Sequence, residues 1–188
     1  MRHPRTLACV MILALPGALA AQAQVPNTTD AVEIRKQFTN DLDTLYTKFY
    51  ALANAIPEDK YAWRPAPGVR SIGEVFMHVA SEFYVWTPLS YGAKPSPVIP
   101  DQSDSSMHKF EMMSTKADVL KHLKASFAYT QATLTALPPS SLAGGKKLFG
   151  GTYTIIETSF GMGGDLHEHL GQLIAYAREN GIKPPWSK

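Results

Sequence analysis

Cysteine is almost missing from this sequence: Cys9 is the only one in 188 residues, and it sits early in an apolar run near the N-terminus. Removal of that segment leaves no thiol, which excludes a disulfide framework and a cysteine nucleophile and leaves His, Asp and Glu as the only metal ligands. Because Cys9 does not stand at the end of the run, a lipoprotein anchor is disfavoured too. Long hydrophobic stretches are also lacking. The run from Leu7 to about Leu15 is too short to cross a bilayer, and nothing later resembles a span. Excess charge is absent as well, with 18 basic and 16 acidic residues. That balance argues against nucleic acid as a partner, since phosphate binding needs a basic excess on at least one face.

The N-terminal run has the organisation of a secretory signal. Arg2 and Arg5 precede it, and Pro16-Gly17 and small residues follow. Residues 1–23 are therefore expected to be a signal peptide and 24–188 a single mature domain, exported to the periplasm or secreted and free of the membrane after cleavage. Cleavage fits either Ala18-Leu19-Ala20 or Ala21-Gln22-Ala23. Loss of the signal takes Arg2 and Arg5 away and no acidic residue.

Periodicity in the mature chain predicts four long helices. Phe38, Leu42, Leu45, Phe49, Leu52 and Ile56 recur at steps of three and four and draw one apolar stripe over about 29–56, before Pro57. The second helix opens at Ser71, with Glu74 as its capping-box partner, and carries Ile72, Val75, Val79, Phe83 and Trp86 to a stop at Pro88. Residues 90–113 are rich in Pro, Ser and Asp and predict a long irregular crossover. A third helix runs from Ser114 or Thr115 to about Leu137. The glycine-rich 142–153 stretch predicts a loop or small hairpin and lacks phosphate-loop spacing. The fourth helix starts near Thr154, with Glu157 three positions on, and closes at Asn180-Gly181 and Pro184-Pro185. Gly161, Gly163 and Gly164 lie inside it, each costing about 1 kcal/mol relative to Ala, so close approach of a neighbouring helix or a local kink is expected there. The sum is an all-α antiparallel four-helix bundle with one long crossover between its second and third helices, a fold that builds sites from inward side chains.

Candidate site residues follow from helical phase. At about 100° per residue, Asp165 and His169 lie about 40° apart on the core side, whereas His167 is about 200° from Asp165 and faces away. Glu168 falls between them, closer to Asp165, as a supporting group. A third inward polar residue is His78, flanked by Val75 and Val79, with Glu82 one turn later as a further supporting group. His108 and His122 are expected on the surface. The plain alternative is an Asp165/His169 i, i+4 pair contributing about 0.2–0.5 kcal/mol to a helix, with His78 a hydrogen-bonded core residue.

The segments "WRPAPGVRSIGEVFMHVA" and "DLHEHLGQLIAYARENGIKPP" resemble the DinB/YfiT-like bundle proteins over the whole mature chain. The family pattern has a second-helix histidine, matched by His78, and a fourth-helix H-x-x-x-H-x-G-Q motif. His169, Gly171 and Gln172 match the end of that motif, and Gln172 joins the supporting groups. Asp165 stands where the motif's first histidine usually stands. The resemblance implies a divalent metal, held here by His78, Asp165 and His169, and an activity in the range of thiol transferases and metal-dependent hydrolases. Carboxylate and imidazole together suit Zn²⁺ first, with Fe²⁺, Mn²⁺ or Ni²⁺ as alternatives. Three functions stay open: a hydrolase-like metal enzyme acting on a small molecule, a thiol S-transferase, and a non-catalytic bundle that binds a ligand or partner. Export weighs against the transferase, because reduced small thiols belong mainly to the cytosol. A monomer or homodimer is expected.

Overall fold

The computed structural model describes residues 27–148 and 150–187. The expected signal peptide, residues 1–23, and its expected cleavage patterns lie outside the described residues. Five helices and a hairpin follow in order: α1 (Thr28–Ala55), α2 (Ile72–Tyr91), α3 (Asp104–Glu111), α4 (Lys116–Ala136), β1 (Gly145–Leu148), β2 (Gly151–Thr154) and α5 (Ile155–Glu179). The expected starts are there in atomic detail. Ser71 and Glu74 form a reciprocal capping box at α2, and Thr154 and Glu157 form another at α5. Each satisfies backbone N–H groups that a helix otherwise leaves unpaired.

Four long helices make the bundle. α4 and α5 each pack against both α1 and α2, so α1 faces α2 across a diagonal. Paired residues give the directions. Arg35 meets Leu134 and Leu137 while Lys116 meets Asn54 and Ile56, so α1 and α4 run antiparallel. Tyr91 bonds Ser159 and His78 faces His169, so α2 and α5 do too. By contrast, Tyr84 meets His122 and Thr87 meets Thr130, which makes α2 and α4 parallel. The long crossover is what allows that parallel return. The apolar stripe of α1 is buried as a unit, with Leu42, Leu45, Phe49 and Leu52 fully enclosed. Burial of each such side chain is worth about 1.5–3 kcal/mol, so the stripes and not the polar cluster decide the fold.

Three expectations need correction. Pro88 does not end α2: the helix continues to Tyr91 and closes at Gly92, whose φ of 73° is the left-handed cap. Proline in the last turn removes one helical hydrogen bond and leaves the rest of the helix intact. The crossover is not wholly irregular, because Ser103 caps the short helix α3, which packs on α2. Of the α5 glycines, Gly163 alone sits against a neighbour, where an added Cβ would lie 3.4 Å from the Phe38 ring; at Gly161 and Gly164 it would meet nothing within 4 Å.

Candidate metal centre

Helical phase puts His78 and Glu82 one turn apart on α2, facing His169 and Asp165 one turn apart on α5. The two imidazole centroids are 5.0 Å apart with perpendicular planes. Glu82 lies between the rings: Oε1 is 3.2 Å from His78 Nε2 and Oε2 is 3.9 Å from His169 Nε2. Asp165 Oδ1 stands 3.7 Å from the same His169 nitrogen. The side chains of His78, Glu82 and His169 each keep 14% of their accessible surface, against 45% for Asp165. The first three are thus enclosed. Asp165 stands at the edge.

The far nitrogens of both rings are held. His78 Nδ1 is 2.7 Å from Glu111 Oε1, and Arg70 binds the same buried carboxylate through two nitrogens. His169 Nδ1 is 3.2 Å from Gln172 Oε1, and the Gln172 amide donates to the Tyr176 hydroxyl. Both Nε2 atoms face Glu82, and with both Nδ1 positions donating their Nε2 lone pairs would be available to a cation that displaces the proton. Such carboxylate and amide partners fix the ring orientation of metal-ligating histidines.

Ligand atoms of His78, Glu82 and His169 lie within 4.8 Å of one another, close enough to hold one ion. Glu82 Oε2 supplies a separate test of fit. Among the described residues it is the buried side-chain oxygen without a hydrogen-bond partner, and a buried acceptor left in that state costs about 1–3 kcal/mol. A cation at that oxygen would remove the deficit, so the donor set fits a divalent metal. Charge is concentrated here as well. Burial lowers the His78 pKa, but hydrogen bonds and charges from Glu111 and Glu82 more than reverse it, to about 9. Burial, followed by the neighbouring Glu82 carboxylate, pushes Asp165 up to about 6.

The structure brings together four of the residues marked in the sequence and leaves others out. His78, Asp165 and His169 converge with Glu82, which makes direct approaches to both rings instead of only supporting them. Gln172 supports His169. Glu168 is exposed on the outer side of α5, so it is not a supporting group: it follows His167, which pairs with Asp41 at 2.9 Å on the outside of the bundle. His122 is also corrected. It is buried, with its ring 4.8 Å from that of Phe110 and Nδ1 3.2 Å from the Tyr84 hydroxyl. Helical periodicity in the sequence singles out neither Glu111 nor Arg70. The only sequence signal for Glu111 is the three-residue step from Met107 to Phe110, which sets one weak apolar edge on α3.

The cluster also borders a cavity of about 360 Å³ between α2 and α5, to which Glu82 and Asp165 contribute walls. No described helix is long and apolar enough to cross a membrane.

Comparison with known proteins agrees with this architecture. A DinB-like protein from Bacillus subtilis superposes with a TM-score of 0.61 at 20% identity, covering 78% of this chain and 93% of the other. A DinB-like protein from Bacillus cereus superposes with a TM-score of 0.65 at 12% identity, covering 81% and 97% respectively. These likenesses concern the fold. No curated protein matches the sequence. The family model of the DinB superfamily matches residues 41–173, which include His78, Glu82, Asp165 and His169, and the chain belongs to that superfamily.

Proposed function

We propose that this protein is an exported, divalent-metal-dependent enzyme of hydrolase-like type that acts on a small molecule. The observation that carries the reading is the Glu82 carboxylate: it is enclosed, one oxygen lacks a partner, and two imidazoles with tethered Nδ1 atoms aim Nε2 at it. His78, Glu82 and His169 would hold the ion. Asp165, at the junction of cluster and cavity, is placed to take up or return a proton on a bound molecule, the usual work of a positioned carboxylate. In this reading Glu82 and Asp165 exchange the roles expected from the sequence, because Glu82 is the enclosed carboxylate and Asp165 the accessible one.

Two histidines and a carboxylate suit Zn²⁺, Fe²⁺, Mn²⁺ or Ni²⁺. When bound, such an ion supplies Lewis acidity to a substrate oxygen or another donor. Glu111 and Gln172 keep the rings in register, and the apolar walls of the cavity limit water. Export rests on the N-terminal segment, and the protein acts as a monomer or homodimer.

The test is metal analysis of untagged protein recovered from the exported fraction. About one ion per chain is expected, as for a dedicated donor set, and Glu82→Gln should lose it while Asp165→Asn retains it. The opposite pattern would restore Asp165 as ligand. A metal-free wild type that stays metal-free on dialysis against Zn²⁺, Mn²⁺ and Ni²⁺ would sink the enzyme reading and favour a non-catalytic binding bundle.

A further inference from the structure

The cavity beside the cluster has a consistent chemical character. Phe83, Trp86, Met162 and Leu166 give it apolar walls, and Tyr153 of β2 stands at its hairpin end. Its ionisable groups are all acidic: Glu82 and Asp165 toward the cluster and Glu157 toward the hairpin, with no Lys or Arg in the lining. Glu157 is fixed in place by hydrogen bonds from the Thr154 backbone N–H and hydroxyl.

Gly161 forms part of the same wall. A glycine inside a helix is destabilising relative to alanine, and close packing does not explain this one, since an added Cβ meets no atom within 4 Å. Gly163 differs, lying against Phe38. What a larger side chain at 161 would occupy is the cavity itself.

We propose that this cavity is the substrate site and that it selects neutral or cationic molecules with an apolar, ring-sized body while rejecting anions. The volume is in the range of small-molecule sites, which are mostly apolar with a few placed polar groups. An entering anion meets carboxylates at both ends and no basic partner. A divalent ion would offset Glu82 and Asp165, which leaves Glu157, exposed at the rim and held by Thr154, as the charged group at the mouth. A cation gains from that charge. Small thiols that bear free carboxylates are excluded on the same ground. The proposal rests on the metal-centre reading only for where the reaction would take place; the selectivity belongs to the walls.

A matched pair of fluorescent probes tests it: neutral N-phenyl-1-naphthylamine and its anionic relative 8-anilinonaphthalene-1-sulfonate, each titrated into the intact mature protein. The neutral probe should bind at least about tenfold more tightly, a free-energy gap well above titration error. Gly161→Leu should weaken it by about tenfold or more with metal content unchanged. If the leucine variant does not fold, Gly161→Ala adds a single methyl to open space and should raise the melting temperature while weakening the probe. Equal or tighter sulfonate binding would overturn the proposal. So would neutral-probe affinity that ignores both Gly161 variants, since the probe would then sit elsewhere, as in the groove between α1 and α5 that Phe38 and Gly164 line. Metal content measured on the same samples separates the two readings: probe selectivity without metal sinks the enzyme, and metal without selectivity sinks the substrate class.

Discussion

His78 and His122 are both enclosed by helices, with 14% of the side chain exposed in one and 8% of the residue in the other. Their surroundings pull in opposite directions. Around His78 stand Glu82, Glu111 and a second imidazole, and the carboxylates hold its pKa at about 9 against burial. Around His122 stand a tyrosine hydroxyl and the Phe110 ring, and burial, helped by Lys121, pushes its pKa below the ordinary value. One is poised to carry positive charge, or a metal in place of a proton; the other is a neutral core residue. Exposure does not distinguish a site from a packed histidine. Acidic company does.

The strongest way to break this comparison is to remove the acidic company. Glu82→Gln should abolish stoichiometric metal binding, whereas His122→Asn should leave metal content unchanged and cost stability by about 1 kcal/mol, the worth of one hydrogen bond. Metal analysis and denaturant melts check the pair, and metal loss in the His122 variant would mean that the two sites are one. Next in size is Glu111→Gln, which weakens the group that orients His78. Affinity should fall about 10–100-fold, as is typical for such outer partners, in a competition titration against a chromogenic chelator, with helical circular dichroism unchanged.

The pH dependence of metal-free protein should separate the histidines in sign. His78 is raised in the folded state, so its contribution is complete below about pH 6.5 and is lost as pH rises through about 9. His122 is lowered, so its contribution is present above about pH 6.5 and fades as pH falls through its folded value. Ring-proton titrations by NMR should show His122 changing at lower pH than His78, and coincident titrations would contradict the assignment. The smallest effect is expected from His167→Ala, which breaks only the exposed pair with Asp41. A stability change within about 1 kcal/mol and unaltered metal content are the outcomes to check by melting and metal analysis.

Much of this was legible in the sequence because it rests on local periodicity. The stripe on α1, the two capping boxes, the inward phase of His78, Asp165 and His169 and the outward phase of His167 all follow from residues within a few turns of one another. What was not legible depends on contacts across the chain. Glu111 enters the site because α3 folds inside a polar crossover and Arg70 ties it to the start of α2. His122, between lysines at 121 and 124, looks exposed until Phe110 of that same short helix covers it. Glu82 was marked beside His78, but its central place is visible only once α5 lies antiparallel to α2. Glu168 fell on the wrong side because a position between two phases is settled by packing, here by the exposed turn of α5.

The antiparallel seam of α2 and α5 also sets the order of events in the life of the molecule. Its two histidines come from the early part of the second long helix and the late part of the last one. A chain still growing, with α5 not yet made, offers only the His78 and Glu82 pair, an open arrangement with no second ring to complete it. Under the proposed metal reading, a complete donor set therefore exists only once the last helix has docked. If the proposed export also holds, an ion acquired that late would be chosen by the compartment in which folding ends, and not by the one in which synthesis began.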